Sequence, residues 1–242
     1  MKSRRRNLGS ALCLALLLCA ARPALAQNPW EKPYDQWTQQ EAEKILTDSP
    51  WAQMVSKGVA VGYDNPVFGM GAHPDPEGVM IRLRSSPVVR LAMLRLRQIR
   101  AKFDKLDEKA RTAFMEKNRA LLECPPCRDH YVVTMDSPPG SNRGVPTSLN
   151  TMSFAMLKQY VRLTDESGEK RELVHFEPPK AQGEEATFFF ARLNEKGAPL
   201  LTTASRKLIL NIDPQIFRTA VVQIVKVQFD VPKLVLKGAV MF

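Results

Sequence analysis

Tyr160-Val161-Arg162-Leu163-Thr164-Asp165-Glu166-Ser167-Gly168-Glu169-Lys170-Arg171-Glu172-Leu173-Val174-His175-Phe176 is the stretch on which the fold reading turns. Tyr160–Thr164 and Arg171–Phe176 alternate apolar and polar residues, the period of a strand with one wet face. Asp165-Glu166-Ser167-Gly168 between them is a turn sequence, so the spacing predicts a hairpin. The pattern continues downstream. Thr187–Leu193 and Leu200–Ser205 flank Asn194-Glu195-Lys196-Gly197 as a second hairpin, and Lys207–Ile212, Val221–Phe229 and Leu234–Met241 complete the set. Evenly spaced short strands of this kind predict a sandwich or a partly open barrel.

Upstream the period is helical. Thr38-Gln39-Gln40-Glu41 has the spacing of a capping box and opens a helix to about Leu46, with Trp37, Ala42, Ile45 and Leu46 on one side. Ser49-Pro50 reads as the start of a second short helix, because proline at the first helical position sacrifices no hydrogen bond. Gly58 to Gly78 is glycine- and proline-rich connection with a short strand at Val59–Val61, and Val79–Arg84 alternates as a strand with a basic wet face. Ser86-Pro87 opens the longest helical pattern, reaching about Glu123 with a break near Asp104–Asp107. Val88, Ala92, Leu96, Ile99 and Phe103 form its apolar stripe. His130–Met135 reads as a strand, Ser137–Pro146 as a loop and Ser148–Leu157 as a short helix. The expected architecture is α+β: a helical N-terminal half over residues 27–157, followed by a β-sandwich-like C-terminal half over residues 158–242.

Residues 1–26 read as an export signal. Lys2, Arg4, Arg5 and Arg6 precede an apolar run from Leu8 to Ala21, and Ala24-Leu25-Ala26 offers small residues for cleavage before Gln27. The run is too short to span a bilayer comfortably. Leu12 and Leu18 stand before Cys13 and Cys19, where a lipid anchor needs a small residue, so ordinary secretion to the periplasm or the medium is expected. The signal carries five of the 35 Lys+Arg and none of the 25 Asp+Glu, so half of the formal +10 charge leaves with it. What remains is an ordinary solubility charge and argues against a nucleic-acid partner.

Two of the four cysteines remain after the signal, in Cys124-Pro125-Pro126-Cys127. In an oxidising compartment such a pair closes a small disulfide ring. Thiol–disulfide exchange is the rival reading, but there the first cysteine sits at a helix N-terminus. Here the motif follows a helix and precedes a strand, an order that works against a thiolate at Cys124. Cys124, Cys127 and His130 supply three potential metal donors, with His73 and His175 distant in sequence and no second local pair, so no metal site and no cofactor are expected. Hydrolase and zinc-protease motifs are absent, and Gly69-Met70-Gly71 lacks the third glycine of a dinucleotide loop. No catalytic residue is assigned. Arg90, Arg97 and Arg100, off the apolar stripe, are candidates for contact with an anionic membrane surface. Trp37 and Trp51 read as core anchors.

Trp37 to Ala52, with its core Ile45-Leu46-Thr47-Asp48-Ser49-Pro50-Trp51-Ala52, resembles the start of a group of secreted bacterial proteins without an assigned activity. The C-x-x-C before a strand and the closing Phe229-Asp230-Val231-Pro232-Lys233-Leu234-Val235-Leu236-Lys237-Gly238 are similar to that group too. The resemblance implies secretion and a shared architecture and carries no catalytic role. The expected function is a non-enzymatic binding or assembly module with a protein or envelope partner.

Overall fold

A computed structural model describes residues 28–55, 79–136, 147–181, 184–213 and 226–242. The expected export signal, the strand at Val59–Val61, the Ser137–Pro146 loop, and His73 lie outside these residues. Helix α1 (Gln39–Thr47) forms for the reason read in the sequence. Thr38 Oγ1 accepts the Glu41 N–H at 3.2 Å, and Glu41 Oε2 accepts the Thr38 N–H at 3.0 Å. Ser49-Pro50, however, starts no helix. The Ser49 hydroxyl donates to Ile45 O at 2.6 Å and accepts from Trp51 N, so it closes the end of α1 instead of capping a successor. The chain then turns straight into β1 (Ala52–Val55).

After β2 (Val79–Leu83) come α2 (Pro87–Arg100), α3 (Glu108–Lys117) and α4 (Arg119–Glu123). Ser86 caps α2 through Val88 N, and Asp107 caps α3 through Ala110 N at 2.8 Å. The break falls where the sequence places it: Lys102 turns left-handed at φ 51°, and Phe103–Lys105 make a single 3-10 turn. Val88, Ala92 and Leu96 of the predicted stripe join the main core together with Val89, whereas Ile99 and Phe103 are half-buried outside it. Leu94 and Gln98, on another side of the helix, are buried as well. Gln98 lies against Met115 of α3, so α2 is covered on two sides and is not a simple surface helix.

The strands overturn the division into a helical half and a β-sandwich half. β3 (His130–Asp136), β4 (Val161–Asp165), β5 (Lys170–Glu177), β6 (Ala186–Ala191), β7 (Lys207–Ile212) and β8 (Lys226–Asp230) combine with β1 and β2 in one antiparallel sheet, ordered β1-β2-β3-β6-β5-β4-β7-β8. The first half thus supplies three of eight strands. They join the second half through β3 and β6, paired from His130↔Ala191 to Met135↔Ala186. Helices α2 to α4 and the one-turn α5 (Phe154–Leu157) are insertions between strands, and α1 precedes β1. Pattern reading is local, and a pairing of residues some 55 apart leaves no periodic trace in either partner.

The sheet curls until its edges nearly meet, and Gln53 of β1 donates its side-chain amide to Gln228 O of β8 at 2.6 Å. Tyr131, Val133 and Met135, Phe188 and Phe190, Leu208 and Leu210, and Phe229 belong to a single apolar cluster, a packed core of the small-barrel type. β8 alternates buried and exposed residues, as a half-wet strand should. β2 is buried throughout. Arg82, expected in water, is only 7% exposed because α1 reaches over it: its Nε donates to Leu46 O at 2.8 Å, and its Nη1 pairs with Asp136 at 3.1 Å.

The hairpin of β4 and β5 forms as predicted, with Gly168 at φ 89° in its turn. The second predicted hairpin does not. Leu200–Ser205 is no strand; only Leu193 and Pro199 make an isolated bridge. β6 already has β3 on one side and β5 on the other, so no edge is left for a returning strand. Nor is Leu234–Met241 one strand. Val231–Leu234 is a 3-10 turn, and β9 (Val235–Leu236) and β10 (Ala239–Val240) close a tiny hairpin over Lys237 and Gly238, both left-handed.

Trp51 ties the first half to the end of the chain, fully buried, its Nε1–H donated to Met241 O at 2.9 Å. Trp51→Phe should cost about 1 kcal/mol for the lost hydrogen bond, and Trp51→Ala roughly 3–5 kcal/mol for the cavity. Urea unfolding measures both. Equal losses would mean that the ring volume does not matter there.

Candidate functional site

The chemical feature singled out in the sequence, the Cys124–Cys127 pair, is disulfide-bonded with its Cα atoms 5.3 Å apart. Its setting follows from the local chain. α4 ends at Glu123, and Cys124 takes the left-handed conformation at φ 43°. Pro125 and Pro126 start the 3-10 turn Pro125–Arg128, in which Cys127 N–H donates to Cys124 O at 2.8 Å and Asp129 N–H closes the turn on Pro126 O at 3.3 Å. The Cys124 N–H donates back into the helix, to Ala120 O. Backbone amides that would stabilise a thiolate in an exchange protein are therefore engaged in the turn itself, and Cys124 sits at the carbonyl end of a helix.

One residue holds this corner that the sequence reading passed over. Arg192, just after β6, donates Nη1 to Phe242 O at 2.9 Å and Nη2 to Cys127 O at 3.1 Å and His130 O at 3.4 Å. Its guanidinium lies 4.4 Å from the centre of the Tyr131 ring, in cation–π contact. The Tyr131 ring also packs on Phe242 at 5.2 Å, and its hydroxyl accepts the Leu201 N–H at 3.2 Å. Burial pulls the Arg192 guanidinium below its ordinary value, and Tyr131 and Asp129 act against that. Two segments far apart in sequence, Cys127–Tyr131 and the Phe242 end, thus converge on a single cation. Nothing local marks Arg192: it follows an apolar run as any strand-ending residue does, and only the β3–β6 pairing brings it to the cysteines.

The other candidates scatter. Arg90 is half-buried and donates to Ser85 O at 2.5 Å. Arg97, more exposed, bonds the Asn118 side chain at 2.8 Å, and Arg100 is exposed. His130 Nδ1 lies 3.1 Å from Pro126 O, inside the disulfide turn. The His130 and His175 rings lie 6.1 and 5.1 Å from that of Phe189, and His175 pairs with Glu177 at 3.6 Å. Among the described residues no group of three or more His, Cys, Asp or Glu side chains is arranged to hold a metal ion. Trp37 and Trp51 are both core residues, as read.

A second feature lies at the barrel seam, where β1 faces β8. A surface cleft of about 360 Å³ there is lined by Trp30, Lys44, Asp48, Gln53, Asp230 and Lys233 among others. Trp30 stands edge-on to Trp51 at 5.5 Å, and Lys233 pairs with Asp230 at 2.9 Å. The cleft therefore offers one aromatic wall and charges of both signs. No protein family, curated protein or solved structure matches this chain, so its chemistry is read from the geometry alone.

Arg192→Lys keeps the charge and loses the planar fork that reaches three carbonyls. It should cost roughly 2–3 kcal/mol and speed hydrogen exchange in the Cys127–His130 turn. Urea unfolding with amide exchange measures both, and a neutral substitution would show that Arg192 does not hold the corner.

Proposed function

We propose that this chain is an exported, non-enzymatic binding or assembly module of the cell envelope or extracellular space, whose protein partner docks at the seam between β1 and β8. One observation carries the reading. Among the described residues, the seam is the place where two strand edges of one sheet face each other without a backbone ladder, bridged by the Gln53 side chain. Unpaired strand edges are templates for an added strand. Beside them stand Met54, 49% exposed on β1, and the cleft with its aromatic wall and mixed charges. The apolar barrel core favours a role at the surface over one in an interior ligand cavity. The basic and apolar leader of residues 1–26 supports export.

A photo-crosslinking residue at Met54 tests this in the producing cells, with Thr112, exposed on α3, as the control position. A discrete adduct from position 54 and none from 112 is expected. Identical adducts from both, or none from 54, would remove the seam as the docking site.

The Cys124–Cys127 pair supports a second reading, thiol–disulfide exchange, since both residues are only half-buried. The engaged amides and the carbonyl end of α4 favour a fixed clasp instead. A reduction potential below about −300 mV is expected for the clasp, and one near −120 to −230 mV would favour exchange.

A further inference from the structure

The seam cleft gathers four charged side chains from two parts of the chain. Lys44 and Asp48 stand one turn apart, in the last turn of α1 and at its C-cap. Asp230 ends β8, and Lys233 belongs to the 3-10 turn that follows it. Two ammonium groups and two carboxylates leave the cleft without net charge. Lys233 pairs with Asp230 Oδ2 at 2.9 Å. Among the described residues, the side chains of Lys44 and Asp48 have no hydrogen-bond or ion-pair partner. Gln53 donates its side-chain amide to Gln228 O and keeps its side-chain oxygen as an acceptor.

Trp30 closes one wall. Trp37 and Trp51 are buried, whereas Trp30 is half-buried and reaches the cleft. Its plane stands at 82° to that of the buried Trp51, an edge contact that holds the ring in place.

These features select a class of ligand. An anion would meet Asp48 and Asp230, and a cation would meet Lys44 and Lys233, so neither gains from the charges present. An apolar ligand would strip water from four charged groups and replace none of it. A neutral ligand with one C–H face for the indole and a rim of hydroxyls satisfies both parts, since a hydroxyl donates to a carboxylate and accepts from an ammonium. We propose that the seam cleft binds a neutral saccharide, its ring stacked on Trp30 and its hydroxyls bonded by Asp48, Lys44 and the side-chain oxygen of Gln53. The volume of about 360 Å³ lies at the small end of ligand sites, about 300–1,000 Å³, and suits a short glycan better than a protein segment. The site does not rest on strand docking, because Gln53 and Met54 are neighbours on β1 and point to opposite faces.

Tryptophan fluorescence of the whole folded chain tests the site, because Trp30 alone of the tryptophans is open to the neutral quencher acrylamide. Trisaccharides of glucose, of mannose and of N-acetylglucosamine are titrated separately. Saturable protection from quenching by at least one of them is expected, with little change as salt rises, because the ligand carries no charge. Asp48→Asn, at an exposed side chain without a partner, should weaken binding about tenfold and leave the fold intact. Trp30→Ala should abolish binding measured by calorimetry, and Trp30→Phe should weaken it and serves if the alanine variant does not fold. Thr112→Ala, outside the cleft, should bind as the parent does. No protection by any of these sugars, or binding that the Asp48 and Trp30 variants leave unchanged, would overturn the proposal. Binding that falls steeply with salt, the mark of a charged ligand, would overturn it too. A Met54 adduct without saccharide binding leaves the seam to a protein alone, whereas saccharide binding without a Met54 adduct removes strand docking and keeps the cleft.

Discussion

The pairing of β3 with β6 is the contact on which the rest of the molecule depends. β3 lies between β2 and β6, so the three strands from the first half reach the second half's strands through this one ladder. Its inward-facing pairs are complementary in size: Tyr131 opposite Phe190, Val133 opposite Phe188, Met135 opposite Ala186. Burying a phenylalanine ring contributes roughly 1.5–3 kcal/mol, and Phe188 and Phe190 both lie in the common core. Without the ladder, β1, β2 and the helices on them would keep no sheet partner in the second half.

Both candidate sites are consequences of that ladder. Arg192 leaves the end of β6 beside the turn that starts β3, and so can hold the carbonyls of Cys127 and His130 at once. The disulfide closes the same turn from the other side, with two prolines stiffening it. Arg90 arrives from α2 through Ser85, whose hydroxyl accepts the Val132 N–H of β3 at 2.5 Å and donates to His130 O. The seam arises at the opposite limit of the same sheet, where β1 and β8 are the strands left over.

What the sequence discloses is what depends on near neighbours. The caps at Thr38 and Ser86, the break near Asp104–Asp107 and the β4–β5 hairpin are decided within a few residues, and each is legible. Ser49-Pro50 shows the limit of such reading. The same two residues suit a helix start or a helix end, and the burial of Trp51, which no local pattern reveals, decides for the end. Arg82 alternates like a wet residue, yet α1 covers it. Leu200–Ser205 has the composition of a strand but finds both edges of β6 occupied. Of the site, the cysteines are visible as a motif. Arg192 and the role of Ser85 are not, since partners far away in sequence give them their meaning.

The central claim is that strands from both halves of the chain form one cooperative body. Native-state hydrogen exchange under rising urea, followed peptide by peptide, tests it most directly, because local opening and global unfolding separate there. Amides of β2 and of β7, one from each half, should lose protection with the same free energy and the same dependence on urea. If β7 stays protected after β2 has opened globally, the C-terminal strands stand on their own, and the β3–β6 ladder is not what unites the fold.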